Sequence, residues 1–198
     1  MSKEMEIEFK NMLIKEEYDN LLAEYQLSDN SLKTQTNFYF DTAEFQLKNK
    51  KMGLRIRKTH SSIEFTLKAP TSNQHTMLEV TDYLDTFDSD ISLAKQVLNK
   101  ESDVVEYLIR EGIPLEKLMP IGELTTTRGE MRLESNVLLV LDKSTYYGKT
   151  DYELEMEVHD VKKGQLLFEN ILKSHQIPVR AAEKKIARML TYKQQIEA

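Results

Sequence analysis

The feature that most constrains the fold of this 198-residue chain is a two-residue alternation of apolar and charged side chains. It is clearest near the start, where Glu6, Glu8 and Lys10 alternate with Ile7 and Phe9. Successive side chains of a β-strand point to opposite faces, so the alternation predicts a strand with one charged and one apolar face. Related patterns predict eight strands in all, over residues 4–10, 37–41, 54–58, 63–68, 77–83, 122–133, 137–142 and 152–158.

Helical spacing of apolar residues lies between and after the strands, in segments 18–25, 93–98, 104–108, 166–171 and 186–190. Ser102 is a candidate N-cap for the third of these helices. The strand connections are too short for repeated parallel crossovers, so we expect an α+β fold with a mainly antiparallel sheet, either open with one face in water or closed into a barrel. Because no linker composition interrupts the chain, residues 1–198 are expected to form a single domain.

Charge and composition exclude several classes of function. The 27 Lys and Arg against 33 Asp and Glu give a net charge of −6, spread evenly, with no basic half or tail for nucleic-acid binding. The absence of cysteine excludes disulfides, zinc–thiolate sites and cysteine nucleophiles. No apolar run approaches the roughly 18 residues of a membrane span. We therefore expect a cytoplasmic protein that binds neither nucleic acid nor membrane, and a homodimer is left open.

The charged side chains are sorted by sign on the strand faces. Like charges share a face in three strands: Glu6 with Glu8, Arg55 with Arg57, and Glu153, Glu155 and Glu157 together. For any single strand, an ordinary sheet with its polar face in water is one interpretation. The alternative is a binding site, because a hard cation such as Mg²⁺ or Mn²⁺ stabilises neighbouring carboxylates, and arginine and lysine match phosphate oxygens. Together these are the components of a phosphoryl-transfer site.

The order of the motifs along the chain carries a family resemblance. The segment Glu6-Ile7-Glu8-Phe9-Lys10 resembles the N-terminal E-x-E-x-K motif of the CYTH superfamily, the triphosphate tunnel metalloenzymes. This superfamily includes class IV adenylate cyclases, thiamine triphosphatases and inorganic triphosphatases. Later motifs follow in the family's order across nearly the whole chain: NFYFDT (37–42), LRIR (54–57), TLK (66–68), LEV (78–80), TTTR (125–128), LD (141–142), EMEV (155–158) and KKI (184–186).

The resemblance implies an eight-stranded antiparallel β-barrel, open as a tunnel, with the charged faces inward and the helices packed on the outside. It also implies roles for the acidic residues. The metal ligands would be Glu6, Glu8, Glu155 and Glu157, with help from Glu79 or Asp142. Glu153 is the alternative, since it shares a face with the last two acids and a two-residue shift in the alignment would select it.

The resemblance also implies the roles of the basic residues. The triphosphate-binding set would be Arg55, Arg57, Lys68, Arg128 and a C-terminal lysine, either Lys184 or Lys185. Lys185 is preferred because the apolar spacing that follows it fits the family better. Lys10 and Tyr39 form a candidate proton-transfer pair, because Tyr39 shares the polar face of its strand, although an aromatic residue on a strand more often serves packing.

The leading functional hypothesis is a metal-dependent triphosphatase acting on inorganic triphosphate or a simple organic triphosphate. In it, Mg²⁺ or Mn²⁺ bridges the phosphate oxygens and positions a water for in-line attack. One alternative is a class IV-type adenylate cyclase. A second is a non-catalytic module that binds polyphosphate or a nucleotide, although such a module gains nothing from two acidic pairs unless a metal is present.

Overall fold

A computed structural model describes residues 2–72, 76–97, 101–134 and 137–197 of the chain. Within these residues, the strands are β1 (Ser2–Leu13), β2 (Lys33–Asp41), β3 (Gly53–Lys58), β4 (Ile63–Pro70), β5 (Thr76–Tyr83), β6 (Met119–Glu134), β7 (Val137–Tyr146) and β8 (Lys149–Val158). The helices are α1 (Lys15–Glu24), α2 (Gln46–Asn49), α3 (Leu93–Val97), α4 (Asp103–Arg110), α5 (Val161–Ser174) and α6 (Lys185–Glu197). All the predicted strands are confirmed; residue 98, placed in a helix from the sequence, lies outside the described part of the chain.

The strands close into a barrel in the order β1-β5-β4-β3-β2-β6-β7-β8. The strand pairs with an assigned register are antiparallel. This confirms the expected eight-stranded antiparallel barrel with helices. Of the two sheet forms that the alternation left open, the closed barrel is the one found. In the part of the chain that the structure describes, no helix has both the length and the apolar composition needed to span a membrane.

The chain divides into two compact units. The first unit comprises Met1–Met5 with Thr36–Glu123, and the second comprises Glu6–Gln35 with Leu124–Ala198. The single-domain organisation stays a prediction.

In the first unit, β3 and β4 bury their apolar faces beneath α4. Leu54, Ile56 and Phe65 are fully buried in a cluster that includes residues of this helix. The predicted N-cap is confirmed, since Ser102 Oγ accepts a hydrogen bond from the Val105 amide at 3.0 Å. That hydroxyl in turn donates to Asp82 Oδ2 at 2.6 Å, so a buried carboxylate of β5 holds the start of the helix.

In the second unit, α1 and α5 cover the apolar faces of β7 and β8. Leu139 and Leu154 are fully buried, in one cluster with Phe168 of α5. The helix α5 is capped at its N-terminus by Asp160, whose side chain accepts a hydrogen bond from the Lys163 amide at 3.0 Å. This packing fixes the opposite face of the same strands, which carries the charged side chains.

Gly164 marks the closest approach of α5 to the sheet. A Cβ at this position would lie 2.6 and 2.9 Å from the two methyl carbons of Val158 and 3.0 Å from the Phe9 ring. Real Cβ atoms do not approach neighbours this closely, so the helix sits against the strands only because residue 164 has no side chain.

We expect Gly164→Ala to lower the free energy of unfolding by about 1–3 kcal/mol, since the overpacking exceeds the gain of about 1 kcal/mol from helix propensity. Urea unfolding followed by circular dichroism measures this. Gly53→Ala is the matched control, because a Cβ at Gly53 has no neighbour within 4 Å. Equal unfolding midpoints for the two variants would contradict the close contact.

Candidate active site

A basic cluster, defined as Arg55, Arg57 and Lys68, occupies the first unit. Leu54 and Ile56 alternate with the two arginines and are fully buried under the helices, so the arginines belong to the opposite face of β3. All three basic side chains are mostly buried, with exposures of 15, 15 and 23%. A sheet face in contact with water would leave such side chains exposed. The interpretation as an ordinary sheet with its polar face in water is therefore wrong for β3 and β4.

The contacts of the basic cluster differ in length. Lys68 Nζ lies 3.0 Å from Glu79 Oε2, and Arg55 Nη2 lies 4.0 Å from the same oxygen. Arg57 Nη1 is 3.8 Å from Glu64, and its Nε donates to the side chain of Asn37 at 3.0 Å. Among the described residues, the buried Nε of Arg55 has no hydrogen-bond partner. An unsatisfied guanidinium donor is a position where an anion gains a charge-assisted hydrogen bond.

Glu79, one of the predicted metal ligands, serves here as the counter-charge of the basic cluster. Burial alone would raise the pKa of Glu79, but Lys68 and Arg55 outweigh it, so its pKa lies below the ordinary value. Tyr39 also belongs to this unit, buried and directly across from Arg55 in the β2–β3 register. Its partnership with Lys10, a residue of the second unit, stays a prediction.

The second unit contains a buried carboxylate cluster, defined as Asp142, Glu153 and Glu155. Asp142 of β7 faces Glu153 of β8 in the strand register, and Glu155 follows two residues later on the same face. Their exposures are 0, 1 and 3%. Three carboxylates this deeply buried require compensating charge, because an isolated buried anion costs several kcal/mol.

Arg128 of β6 supplies part of that charge. Its Nε and Nη2 donate to the two oxygens of Asp142 at 2.8 and 2.6 Å, and Nη2 also donates to Glu155 Oε2 at 3.0 Å. The first two bonds form the bidentate fork that arginine makes with a carboxylate. Arg128, predicted to bind phosphate, is thus placed among acids, and both oxygens of Asp142 are engaged.

Two lysines also contact the carboxylate cluster. Lys185, at the start of α6, places Nζ 3.0 Å from Asp142 and 3.1 Å from Glu153, and it also contacts Glu155. Lys10 Nζ lies 3.1 Å from Glu155 and 3.0 Å from Glu8. Burial lowers the pKa of each lysine, but the surrounding carboxylates prevail and raise it above the ordinary value. Both lysines are therefore fixed cations at neutral pH.

These cations also act on the carboxylates. Burial raises the pKa of Glu155, but Lys10, Lys185 and Arg128 together hold it well below the ordinary value. Asp142 behaves in the same way, because Arg128 and Lys185 outweigh its burial and lower its pKa. Both side chains are therefore anionic at neutral pH and can serve as ligands or counter-ions.

Of the six oxygens in the carboxylate cluster, Glu153 Oε1 is distinctive. It is buried and has no hydrogen-bond partner within the described ranges, whereas Glu153 Oε2 is contacted by Arg188 at 2.7 Å and Lys185 at 3.1 Å. A buried carboxylate oxygen without a partner fits a hard divalent cation in chemistry and charge. Among residues 2–72, 76–97, 101–134 and 137–197, no group of three acidic or histidine side chains forms a complete metal site.

The other predicted acidic ligands lie along the edge of this cluster. Glu8 faces Glu157 across the β1–β8 register, and Glu6 is half-buried further along β1. Lys10 links Glu8 to Glu155 by its two salt bridges. The structure thus brings Glu155 and Asp142 together with Glu153, the alternative ligand, while Glu8 and Glu157 are neighbours of each other.

The sequence patterns did not single out Arg188, which contacts both Glu153 and Asp151. The available signal was its spacing from Lys185, because residues three apart on a helix share a face. That signal becomes informative only once Lys185 is known to face the carboxylates.

Comparison with known proteins identifies the family. A sequence profile of the CYTH domain matches residues 4–190. The chain is also 38% identical over 188 residues, with 95% of each chain covered, to a Bacillus subtilis (strain 168) protein named "Putative triphosphatase YjbK". The chain belongs to the CYTH domain family. The resemblance seen in the motif order is thereby confirmed.

Solved structures of CYTH-like proteins share the fold. A Bacillus halodurans crystal structure described as a putative adenylate cyclase matches with a TM-score of 0.85 and 35% identity, covering 95% of this chain and 98% of that one. A Hippeastrum protein, HpAC1, described as a putative adenylyl cyclase with a dominant triphosphatase activity, matches with a TM-score of 0.78 and 20% identity over 95% of each chain. The second similarity is one of fold.

Removal of Arg128 tests the charge balance of the carboxylate cluster. We expect Arg128→Met to lower the free energy of unfolding of the metal-free protein by about 3 kcal/mol, because it leaves Asp142 and Glu155 buried with fewer partners. Urea unfolding at pH 7 measures this. Lys143→Met, at an exposed position of the neighbouring strand β7, is the control and should change stability by at most about 0.5 kcal/mol. Equal losses in the two variants would contradict the assigned pairing.

Proposed function

We propose that this CYTH protein is a metal-dependent triphosphatase that hydrolyses inorganic triphosphate or a simple organic triphosphate. The observation that carries the proposal is the buried carboxylate cluster with one unsatisfied oxygen, on a chain of the CYTH family. Identity of 38% to a protein named as a triphosphatase supports the choice of reaction. The substrate class follows from the charges: a basic cluster with an unsatisfied guanidinium donor suits a polyphosphate.

In this proposal, Arg55, Arg57 and Lys68 bind phosphate oxygens. Arg55 contributes its unsatisfied Nε, and Lys68 contributes a point charge that it shares with Glu79. The contact of 4.0 Å that Arg55 makes to Glu79 is loose enough for an anion to compete for its guanidinium group. We retain Arg128 and Lys185 as basic residues of the site, acting first as counter-ions of the carboxylates.

The proposed cofactor is Mg²⁺ or Mn²⁺, held by Glu153 and Glu155. Their burial and the unsatisfied Oε1 of Glu153 support this pair over Glu157, which is half-buried. A bound divalent cation would polarise phosphate oxygens and lower the pKa of a coordinated water. Glu6 and Glu8 remain candidate ligands from β1. We assign Asp142 and Glu79 to holding the basic side chains with which they are paired. Glu155 also contacts basic side chains, and it keeps the ligand role that the family resemblance implies.

Lys10 is assigned an electrostatic role. Its raised pKa makes it a poor proton acceptor at neutral pH, and its salt bridges link Glu8 to Glu155 and offset the repulsion between these two carboxylates. Tyr39 remains the candidate for proton transfer on the polar face of β2. We place the protein in the cytoplasm, since a cysteine-free chain of net charge −6 suits a reducing compartment and gives no support for nucleic-acid binding. A homodimer stays open.

A second candidate is cyclisation of ATP. It is favoured by the 35% identity to the Bacillus halodurans protein described as a putative adenylate cyclase. In that reaction the ribose 3′-hydroxyl attacks the α-phosphorus and pyrophosphate leaves. Product analysis with ATP separates the two reactions, because hydrolysis releases orthophosphate and cyclisation releases cyclic AMP with pyrophosphate.

We expect the wild-type protein to release orthophosphate from inorganic triphosphate in the presence of Mg²⁺ or Mn²⁺, and Glu155→Gln to lower kcat by about 100-fold or more, since it removes an anionic ligand at nearly constant size. Orthophosphate release across a panel of triphosphates measures both. Glu169→Gln, an exposed residue of α5, is the control. A panel without any release would overturn the triphosphatase assignment, and full activity of Glu155→Gln would overturn the metal ligand.

The basic cluster has its own test. With metal chelated to prevent turnover, we expect triphosphate to raise the melting temperature of the wild type, and Arg55→Ala to weaken its binding by about 1.5–3 kcal/mol. Thermal shift over a triphosphate titration measures this. Lys58→Ala, an exposed residue of the same strand, should bind as the wild type does. Equal ligand-induced shifts in Arg55→Ala and the wild type would remove Arg55 from the phosphate site.

A further inference from the structure

Arg188 contacts a candidate metal ligand without belonging to either the metal or the phosphate set. It lies on α6 with Lys185, Met189 and Tyr192, at the three-, four- and seven-residue spacings of one helical face. Met189 is fully buried, and the Arg188 side chain is only 10% exposed. Arg188 is therefore held against the sheet of the second unit.

The guanidinium of Arg188 bridges two carboxylates of β8. Its Nη2 lies 2.7 Å from Glu153 Oε2, and its Nε lies 3.1 Å from Asp151 Oδ2. The same Asp151 oxygen accepts a hydrogen bond from the Tyr146 hydroxyl, and Arg188 Nη1 donates to the Glu183 carbonyl. With all three nitrogens engaged, the guanidinium has a single orientation.

This bridge determines which oxygen of Glu153 is engaged. The terminal torsion of a glutamate is broad and roughly two-fold, so an unrestrained carboxylate rotates with little resistance. Here Oε2 is engaged by Arg188 and Lys185, and the buried Oε1 has no partner in the described part of the chain. If Arg188 were removed, the Glu153 carboxylate would lose the contact that holds Oε2, and rotation would no longer keep Oε1 in the position available to a cation.

We propose that Arg188 is a positioning residue that holds Glu153 with one carboxylate oxygen engaged and the other available to a divalent cation. The inference rests on the proposed function, because it takes Glu153 as a metal ligand. Asp151 contacts the Nε of the same guanidinium and is itself held by the Tyr146 hydroxyl, so both residues help to fix the position of Arg188. Partners that orient a metal ligand typically change metal affinity by about 10–100-fold when they are removed.

Mn²⁺ binding without substrate provides the first readout. Electron paramagnetic resonance of free Mn²⁺ gives Kd for the wild type, Arg188→Met and Arg188→Lys. We expect Kd to rise about 10-fold or more in Arg188→Met and by less in Arg188→Lys, whose ammonium retains the charge but lacks the second arm. Lys193→Met on the same helix is the control and should bind as the wild type does. An unchanged Kd in Arg188→Met would overturn the proposal.

A double-mutant cycle distinguishes an effect of Arg188 that acts through Glu153 from an effect that acts through the stability of α6. If Arg188 acts through Glu153, Arg188→Met should cause no further loss of Mn²⁺ affinity in a Glu153→Gln background. An equal fold-change in both backgrounds would show that Arg188 acts elsewhere and would overturn the proposal. Should Arg188→Met fail to fold, Arg188→Lys and Asp151→Asn allow the same cycle.

Substrate kinetics provide an independent readout. In Arg188→Lys we expect the Mn²⁺ concentration for half-maximal rate to rise, while the affinity for triphosphate measured with chelated metal is unchanged. A loss of triphosphate affinity alone would contradict the assigned role. If wild-type protein neither binds Mn²⁺ nor hydrolyses triphosphate, the proposed function fails; if it does both and the Arg188 variants match it, only this inference fails.

Discussion

The burial of three carboxylates on one face of the neighbouring strands β7 and β8 is the constraint on which the second unit depends. Asp142, Glu153 and Glu155 are almost fully removed from solvent. Burial alone would raise the pKa of Asp142 and Glu155, but Lys10, Arg128 and Lys185 outweigh it and keep these two side chains anionic. The cations that contact the three carboxylates come from three other elements: Lys10 of β1, Arg128 of β6, and Lys185 and Arg188 of α6. The position of α6 is therefore coupled to the charge of the site, and a change at either one should alter the other.

The two units handle charge differently. In the first, Arg55 lies 4.0 Å from the carboxylate of Glu79 and retains an unsatisfied donor. In the second, Arg128 forms a bidentate pair with bonds of 2.8 and 2.6 Å, and Lys185 contacts three carboxylates. The loose arrangement suits binding of an external anion, whereas the tight one suits holding ligands in fixed orientations. This contrast supports separate roles in phosphate binding and metal binding within the proposed reaction.

Much of the fold and part of the site could be predicted from the sequence, because the signals involved are local. The two-residue alternation gave all eight strands and the division into charged and apolar faces, and the spacing after Ser102 gave the start of α4. The charge pattern also predicts that Glu155 and Arg55 belong to a site, and this stays a prediction. The choice between Glu153 and Glu157 is open in the same way, because alternation assigns both to one face and does not say that Glu153 is buried and Glu157 only half-buried.

The sequence by itself determined the strand content, the polarity of each face and the family, because these depend on the order and spacing of residues along one segment. Only the tertiary structure decided which charges meet. The pairing of Asp142 with Glu153 depends on the β7–β8 register, and the engagement of Glu153 by Arg188 depends on α6 packing against a strand more than thirty residues earlier in the chain. Register and helix docking are set by the summed packing of many side chains, so no single segment of sequence encodes them.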